Sequence, residues 1–297
     1  MSRIWYSLGA RVEISDAFPD AFNLALREFW EEQNSSSESR RLIWQVCDEV
    51  TAPANANWQT VRLVEGEWTL GVLGNEFWIP NVLHAQFDRE GATLSLTQEA
   101  VDRFAPVVEV VSLAFTEAHR AGGWLPLHAA TVGRGNRAVA FSGVSGAGKS
   151  TATLRLRDKG YTVLSEDRTF WQAKTGQVAG LDRYLRAFDD SLKTFAPHLR
   201  PASVGCDAKG KHLLPLSQAG RAKLEAVLLF GVSDALSAAE RVRAVWEMSG
   251  VPLTDLARQQ TQQAVGQLLP LLSPVPVSRQ TVLERVRAVL SQPLLDG

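Results

Sequence analysis

From Gly143 to Thr151 the chain reads Gly-Val-Ser-Gly-Ala-Gly-Lys-Ser-Thr, which fits G-x-x-x-x-G-K-[ST]. An apolar run, Ala138–Phe141, leads in, and Ser150–Lys159 reads as a helix leading out to Gly160. In that setting Gly143, Gly146 and Gly148 let the backbone curl until successive N–H groups face inward. The helix starting near Lys149 aims its positive end at the same point. Lys149 supplies a point charge for the β- and γ-phosphates of a nucleotide, and the Ser150 hydroxyl is placed for Mg²⁺. The expected site for ATP and Mg²⁺ is therefore Gly143, Val144, Ser145, Gly146, Ala147, Gly148, Lys149, Ser150 and Thr151.

A second group of reactive residues follows closely. Tyr161–Leu164 reads as a buried strand and runs into Ser165-Glu166-Asp167-Arg168. One helix and one strand separate Asp167 from Lys149, so this strand is expected directly beside the loop's own strand, with its end pointing at the phosphates. Two adjacent carboxylates can divide the labour, one holding Mg²⁺ and the other meeting an acceptor hydroxyl. His128 lies in Leu125-Pro-Leu-His-Ala-Ala-Thr131, a strand ahead of the loop. Its apolar neighbours fit either a core histidine or a site residue.

These groups must be carried by a scaffold, and the charge distribution divides it. The 297 residues have a formal net charge of −1, yet no lysine precedes Lys149, and residues 1–122 hold 9 Arg against 18 Asp and Glu. The basic half is the one expected to meet anions. A boundary near Gly122-Gly123 gives an α+β domain over 1–121 and an α/β nucleotide-binding domain over 122–297.

In the first domain Ile4–Ile14 (interrupted at Gly9) and Leu42–Val46 read as strands, Phe18–Gln33 as a helix, and Trp58–Leu96 as a meander. Trp58, Trp68 and Trp78 would sit on three of its strands as core or cross-strand residues. Asp102–Ala121 reads as one helix ended by the glycine pair. In the second domain strands are expected at Leu125–Val132, Arg137–Ser142, Leu224–Val232 and Val242–Trp246, and helices at Pro252–Leu272 and Gln280–Ser291.

Composition excludes several classes. Two cysteines far apart make neither a disulfide scaffold nor a metal cluster. No apolar run approaches 18 residues and Met1–Tyr6 lacks a signal peptide's apolar core, so a cytoplasmic protein without membrane contact is expected. A basic-aromatic stripe for nucleic acid is missing, as is the Leu-Ser-Gly-Gly-Gln of transporter ATPases.

The stretch from Trp124 to about Phe230 resembles the HPr kinase/phosphorylase superfamily, in particular its smaller HPr-kinase-like relatives. The resemblance rests on Leu127-His128-Ala129-Ala130, on Ser142 to Thr151, on Gly160 to Asp167, and more weakly on Gly210 to Pro215. It implies a P-loop kinase domain whose core is a mixed sheet similar to that of phosphoenolpyruvate carboxykinase. It also implies Lys149 and Ser150 on phosphates and Mg²⁺, Glu166 in the metal-side acid position, Asp167 as base toward a serine hydroxyl, and His128 tuning the acids. Glu166 stands where the family has an aspartate, and residues 1–121 do not resemble the family's N-terminal domain. The function implied is ATP-dependent phosphorylation of a hydroxyl on a protein or peptide. Self-association is a further implication, since relatives form oligomers. A small-metabolite kinase and a nucleotide-gated binding module without turnover are the alternative readings.

Overall fold

The computed structural model describes residues 3–32, 40–63, 66–144, 146–216, 220–232, 236–275 and 279–291. The protein is mixed α/β with two large mixed sheets. Two compact units form, Met1–Leu125 with Val251–Ala264, and Pro126–Gly250 with Val265–Gly297.

In the first unit the strands are β1 (Arg3–Ser7), β2 (Ala10–Ile14), β3 (Arg40–Cys47), β4 (Asn57–Leu63), β5 (Gly66–Leu73), β6 (Glu76–Ile79), β7 (Leu83–Phe87) and β8 (Gly91–Thr97). They are ordered β1-β2-β3-β8-β7-β6-β5-β4, antiparallel except where β3 pairs in parallel with β2 and β8. Helix α1 (Asp20–Trp30) bridges β2 and β3, and α2 (Gln98–Asp102) and α3 (Phe104–Ala121) follow β8. The expected single helix over 102–121 is thus preceded by a short turn of helix, which Thr97 caps by accepting the Ala100 N–H. Phe115 on α3 stacks with Trp5, Trp30 and Trp44 at centroid distances of 5.9, 4.8 and 4.9 Å, and all four are buried. Trp58, Trp68 and Trp78 do fall on three successive strands. Trp78 is buried and stacks on His84 at 5.0 Å, but Trp58 is half-exposed and is not a core residue.

Residues 251–264, expected in the second domain, belong to the first unit. Glu117 on α3 is one of the residues that tie them there. Its buried carboxylate accepts the N–H groups of Leu253 and Thr254 and the Thr254 hydroxyl, and so fixes the segment that starts the next helix.

The second unit contains the end of β9 (Trp124–His128), then β10 (Ala130–Arg134), β11 (Arg137–Ser142), α4 (Lys149–Asp158), β12 (Thr162–Ser165), β13 (Arg168–Gln172), β14 (Gln177–Gly180), β15 (Tyr184–Ala187), α5 (Asp189–Phe195), β16 (His212–Pro215), β17 (Ala222–Phe230) and α6 (Ala238–Ser249). After α7 (Asp255–Leu268), most of which lies in the first unit, it ends with β18 (Leu272–Val275) and α8 (Arg279–Ser291). The main sheet is ordered β12-β10-β11-β17-β14-β13-β9, with β18 also on β17.

Three expectations change here. The strand expected over 125–132 breaks at Ala129, whose N–H reaches both Leu127 and Asp167 carbonyls, and its halves join different parts of the sheet. The strand carrying the acids, β12, is not beside the loop strand β11. The hairpin partner β10 fills that place, antiparallel to both. Finally, Val242–Trp246 lies within α6, because Ser237 and Glu240 form a capping box and Val245 and Met248 turn inward on one face.

Helix α4 is clamped on two sides. Ala152 and Leu156 join the core between sheet and α8, while Leu154 packs with Leu185, Leu192 and Leu214 of the β15–β16 ribbon and α5. Among the described residues no helix is long and apolar enough to cross a membrane.

Candidate functional site

The antiparallel placement of β10 assembles the site. Ala130 is level with Phe141 and Thr131 with Ser165, so the start of β10 and the ends of β11 and β12 share one sheet edge. His128, the glycine loop and the Glu166-Asp167 turn all leave from that edge.

The loop runs from Ser142, whose hydroxyl donates to the His128 carbonyl at 2.9 Å, into α4 at Lys149. Gly146 and Gly148 hold φ of 81° and 98°, a left-handed backbone that glycine adopts without strain. The Ala147 N–H returns to the Val144 carbonyl at 3.1 Å. Lys149 Nζ donates to the Gly143 carbonyl at 2.8 Å, so its charge sits across the mouth of the loop. Ser145 lies outside the described residues.

The Ser150 hydroxyl donates to Glu166 Oε1 at 2.7 Å, and Arg186 Nη1 donates to Glu166 Oε2 at 3.0 Å. Burial pushes the Glu166 pKa up, and the hydrogen bond from Ser150 and the charge of Arg186 pull against it. Asp167 Oδ1 is 3.2 Å from His128 Nδ1. Burial likewise raises the Asp167 pKa, with Asp182 adding to the rise and His128, Lys149 and Arg186 opposing it. The His128 side chain is 57% exposed, so the core-packing reading of this residue does not hold.

A cavity of about 610 Å³ joins these groups. Its lining includes His128, Gly146, Gly148, Lys149, Ser150, Thr151, Glu166 and Asp167, together with residues 186–188, Ser191, residues 207–209 and Lys211. Gly143, Val144 and Ala147 are not among the lining residues. Gly143 contributes its carbonyl to Lys149, Val144 is exposed, and Ala147 packs against the sheet core. Three further cations, Arg186, Lys209 and Lys211, face the cavity, whereas Arg200 pairs with Asp189 at 2.8 Å.

Sequence reasoning missed Asp182. This buried residue follows β14, and its Oδ2 accepts the Ser165 hydroxyl and the N–H groups of Glu166, Asp167 and Arg168. No motif announces it. Two residues before it, Gly180 has no room for a side chain, since an added Cβ would lie 1.9 Å from the Leu164 carbonyl oxygen.

Ser150 and Glu166 suit Mg²⁺ by their hard oxygen donors and their separation. Among the described residues no group of three or more His, Cys, Asp or Glu could hold a metal. A cation here would complete its shell from phosphate oxygens and water, the usual arrangement for Mg²⁺ with a nucleotide. Compared with known proteins, the chain matches no family model and no curated protein.

Proposed function

We propose that this protein is a cytoplasmic ATP-dependent phosphotransferase that moves the γ-phosphoryl group to a hydroxyl, with a serine of a protein or peptide as the acceptor. One observation carries the reading. Lys149 and Ser150 at the start of α4, Glu166 and Asp167 after β12, and His128 before β10 open into a single cavity. That set supplies what phosphoryl transfer asks of a protein, namely positioning and charge neutralisation. The mixed sheet is compatible with the HPr-kinase-like core that the sequence resemblance implies. We read the second unit as that P-loop kinase core and the first as an acceptor-binding or scaffolding part.

In this reading the N–H groups from Gly146 to Ser150 hold phosphate oxygens, and Lys149 exchanges the Gly143 carbonyl for them. Mg²⁺, held by Ser150 and Glu166, would neutralise charge on the β- and γ-phosphates. Arg186 balances Glu166 from its other oxygen. Asp167 accepts the proton of the attacking hydroxyl, and burial makes it a better acceptor than an ordinary aspartate. His128 orients that carboxylate and, when protonated, favours its ionised form.

The test is incubation with γ-labelled ATP, Mg²⁺ and a cell extract separated into metabolites and polypeptides. Label is expected in polypeptides, with kcat reduced about a thousandfold by Asp167→Asn. Lys149→Ala should weaken ATP binding about ten- to a hundredfold. Label confined to metabolites would make the acceptor a small molecule. ATP binding with no label anywhere would overturn transfer and leave a nucleotide-gated binding module.

A further inference from the structure

We infer that Asp182 is a positioning residue for the reaction proposed above, setting the directions of Glu166 and Asp167 by gathering the backbone of their turn onto one carboxylate oxygen. The inference rests on that reading of the site for its consequence and on the geometry alone for its substance. Asp182 Oδ2 receives the N–H of Glu166 at 2.9 Å, of Asp167 at 2.8 Å and of Arg168 at 2.9 Å, and the Ser165 hydroxyl at 2.7 Å.

Three successive N–H groups aimed at one point form the concavity that elsewhere binds an anion, and here the chain's own carboxylate fills it. Turning these N–H groups inward leaves the Glu166 and Asp167 side chains facing the cavity, where they meet Ser150 and His128. Asp182 itself does not line the cavity, so it acts through the turn and not on a ligand. Charge-assisted hydrogen bonds to backbone N–H groups are about twice as strong as neutral ones, which suits an aspartate here better than an amide.

The measurement is a comparison of the wild type with Asp182→Asn and Ser165→Ala, scoring kcat, the KM for ATP, and ATP affinity with and without Mg²⁺. For Asp182→Asn, kcat should fall about a hundredfold while Mg²⁺-free ATP affinity stays within about threefold, since the glycine loop and Lys149 are untouched. Ser165→Ala, the variant to rely on if Asp182→Asn does not fold, removes one of four donors and should lower kcat several-fold with the KM for ATP unchanged. Adding it to Asp182→Asn should cost little more, because both act on one oxygen.

Wild-type kcat in Asp182→Asn, or parallel losses of kcat and Mg²⁺-free affinity, would overturn the inference. If the wild type transfers nothing, the proposed reaction fails, and the gain in ATP affinity on adding Mg²⁺ then decides the clamp. That gain should shrink in Asp182→Asn as Glu166 swings away from Ser150, and an unchanged gain would overturn it.

Discussion

Glu117 on α3 and Asp182 after β14 are both buried carboxylates that collect backbone N–H groups from another segment of the chain. Glu117 Oε1 accepts Leu253 N–H, Thr254 N–H and the Thr254 hydroxyl, and Oε2 lies 3.3 Å from Arg120 Nη1. Asp182 Oδ2 alone accepts from the Ser165 hydroxyl and three successive N–H groups. The device is the same, but its donors carry different side chains. Leu253 and Thr254 are buried, so Glu117 anchors a helix start. Glu166 and Asp167 line a cavity, so the backbone that Asp182 gathers carries side chains that face an opening. Burial of a carboxylate therefore says little about function until one asks where the side chains on its donors go.

The sharpest way to break this comparison is Glu117→Ala. It leaves Arg120 buried without its carboxylate and strips the acceptor from the start of α7, so the first unit should lose about 3–5 kcal/mol. Denaturant unfolding measures it, and ATP affinity of the folded protein should not change. A loss under about 1 kcal/mol would mean that the Glu117 contacts are incidental.

Gly180→Ala is next in size and bears on the other carboxylate. The new methyl meets the Leu164 carbonyl and must push β14 from β12, at about 1–3 kcal/mol of overpacking. Because Asp182 travels with β14, kcat should fall as in Asp182→Asn. Lost stability with intact transfer would show that the clamp does not set the acids.

These variants also mark what the sequence could disclose. Gly146, Gly148, Lys149, Ser150 and the acid pair could be picked out as candidates because they stand at short, fixed spacings, and the structure brings these residues to one cavity. Glu117 and Asp182 were not, since their meaning comes from partners brought up by folding, up to 137 residues away for Thr254. The insertion of β10 between β11 and β12 was hidden for a related reason. Hairpin pairing and a crossover compete for the same neighbour, and local pattern does not choose between them. The misreading of Val242–Trp246 had a visible remedy, because Ser237 and Glu240 stand at capping-box spacing just ahead of it.

The smallest expected effect supplies the control, a carboxylate that is paired but not used to gather backbone. Glu13 on β2 takes Arg41 Nε at 2.8 Å and Nη2 at 2.9 Å, and the Arg41 side chain is 61% exposed. The hydrogen bond from Arg41 holds the Glu13 pKa below the ordinary carboxylate value. A carboxylate with a depressed folded pKa adds stability that is complete above its unfolded pKa, about 4.3, and is lost as pH falls through the lower folded value. With Arg41 largely in water and Arg11, the second guanidinium on Glu13, part-exposed at 3.2 Å, that contribution should stay under about 1 kcal/mol. The difference in unfolding free energy between wild type and Glu13→Gln should therefore be small at pH 7, shrink with added salt, and close as the pH drops below the carboxylate range. The loss in Glu117→Ala should resist salt, because water is excluded from Glu117 and Arg120. Equal salt sensitivity of the two would mean that pairing, and not the gathering of backbone in the interior, gives Glu117 its weight.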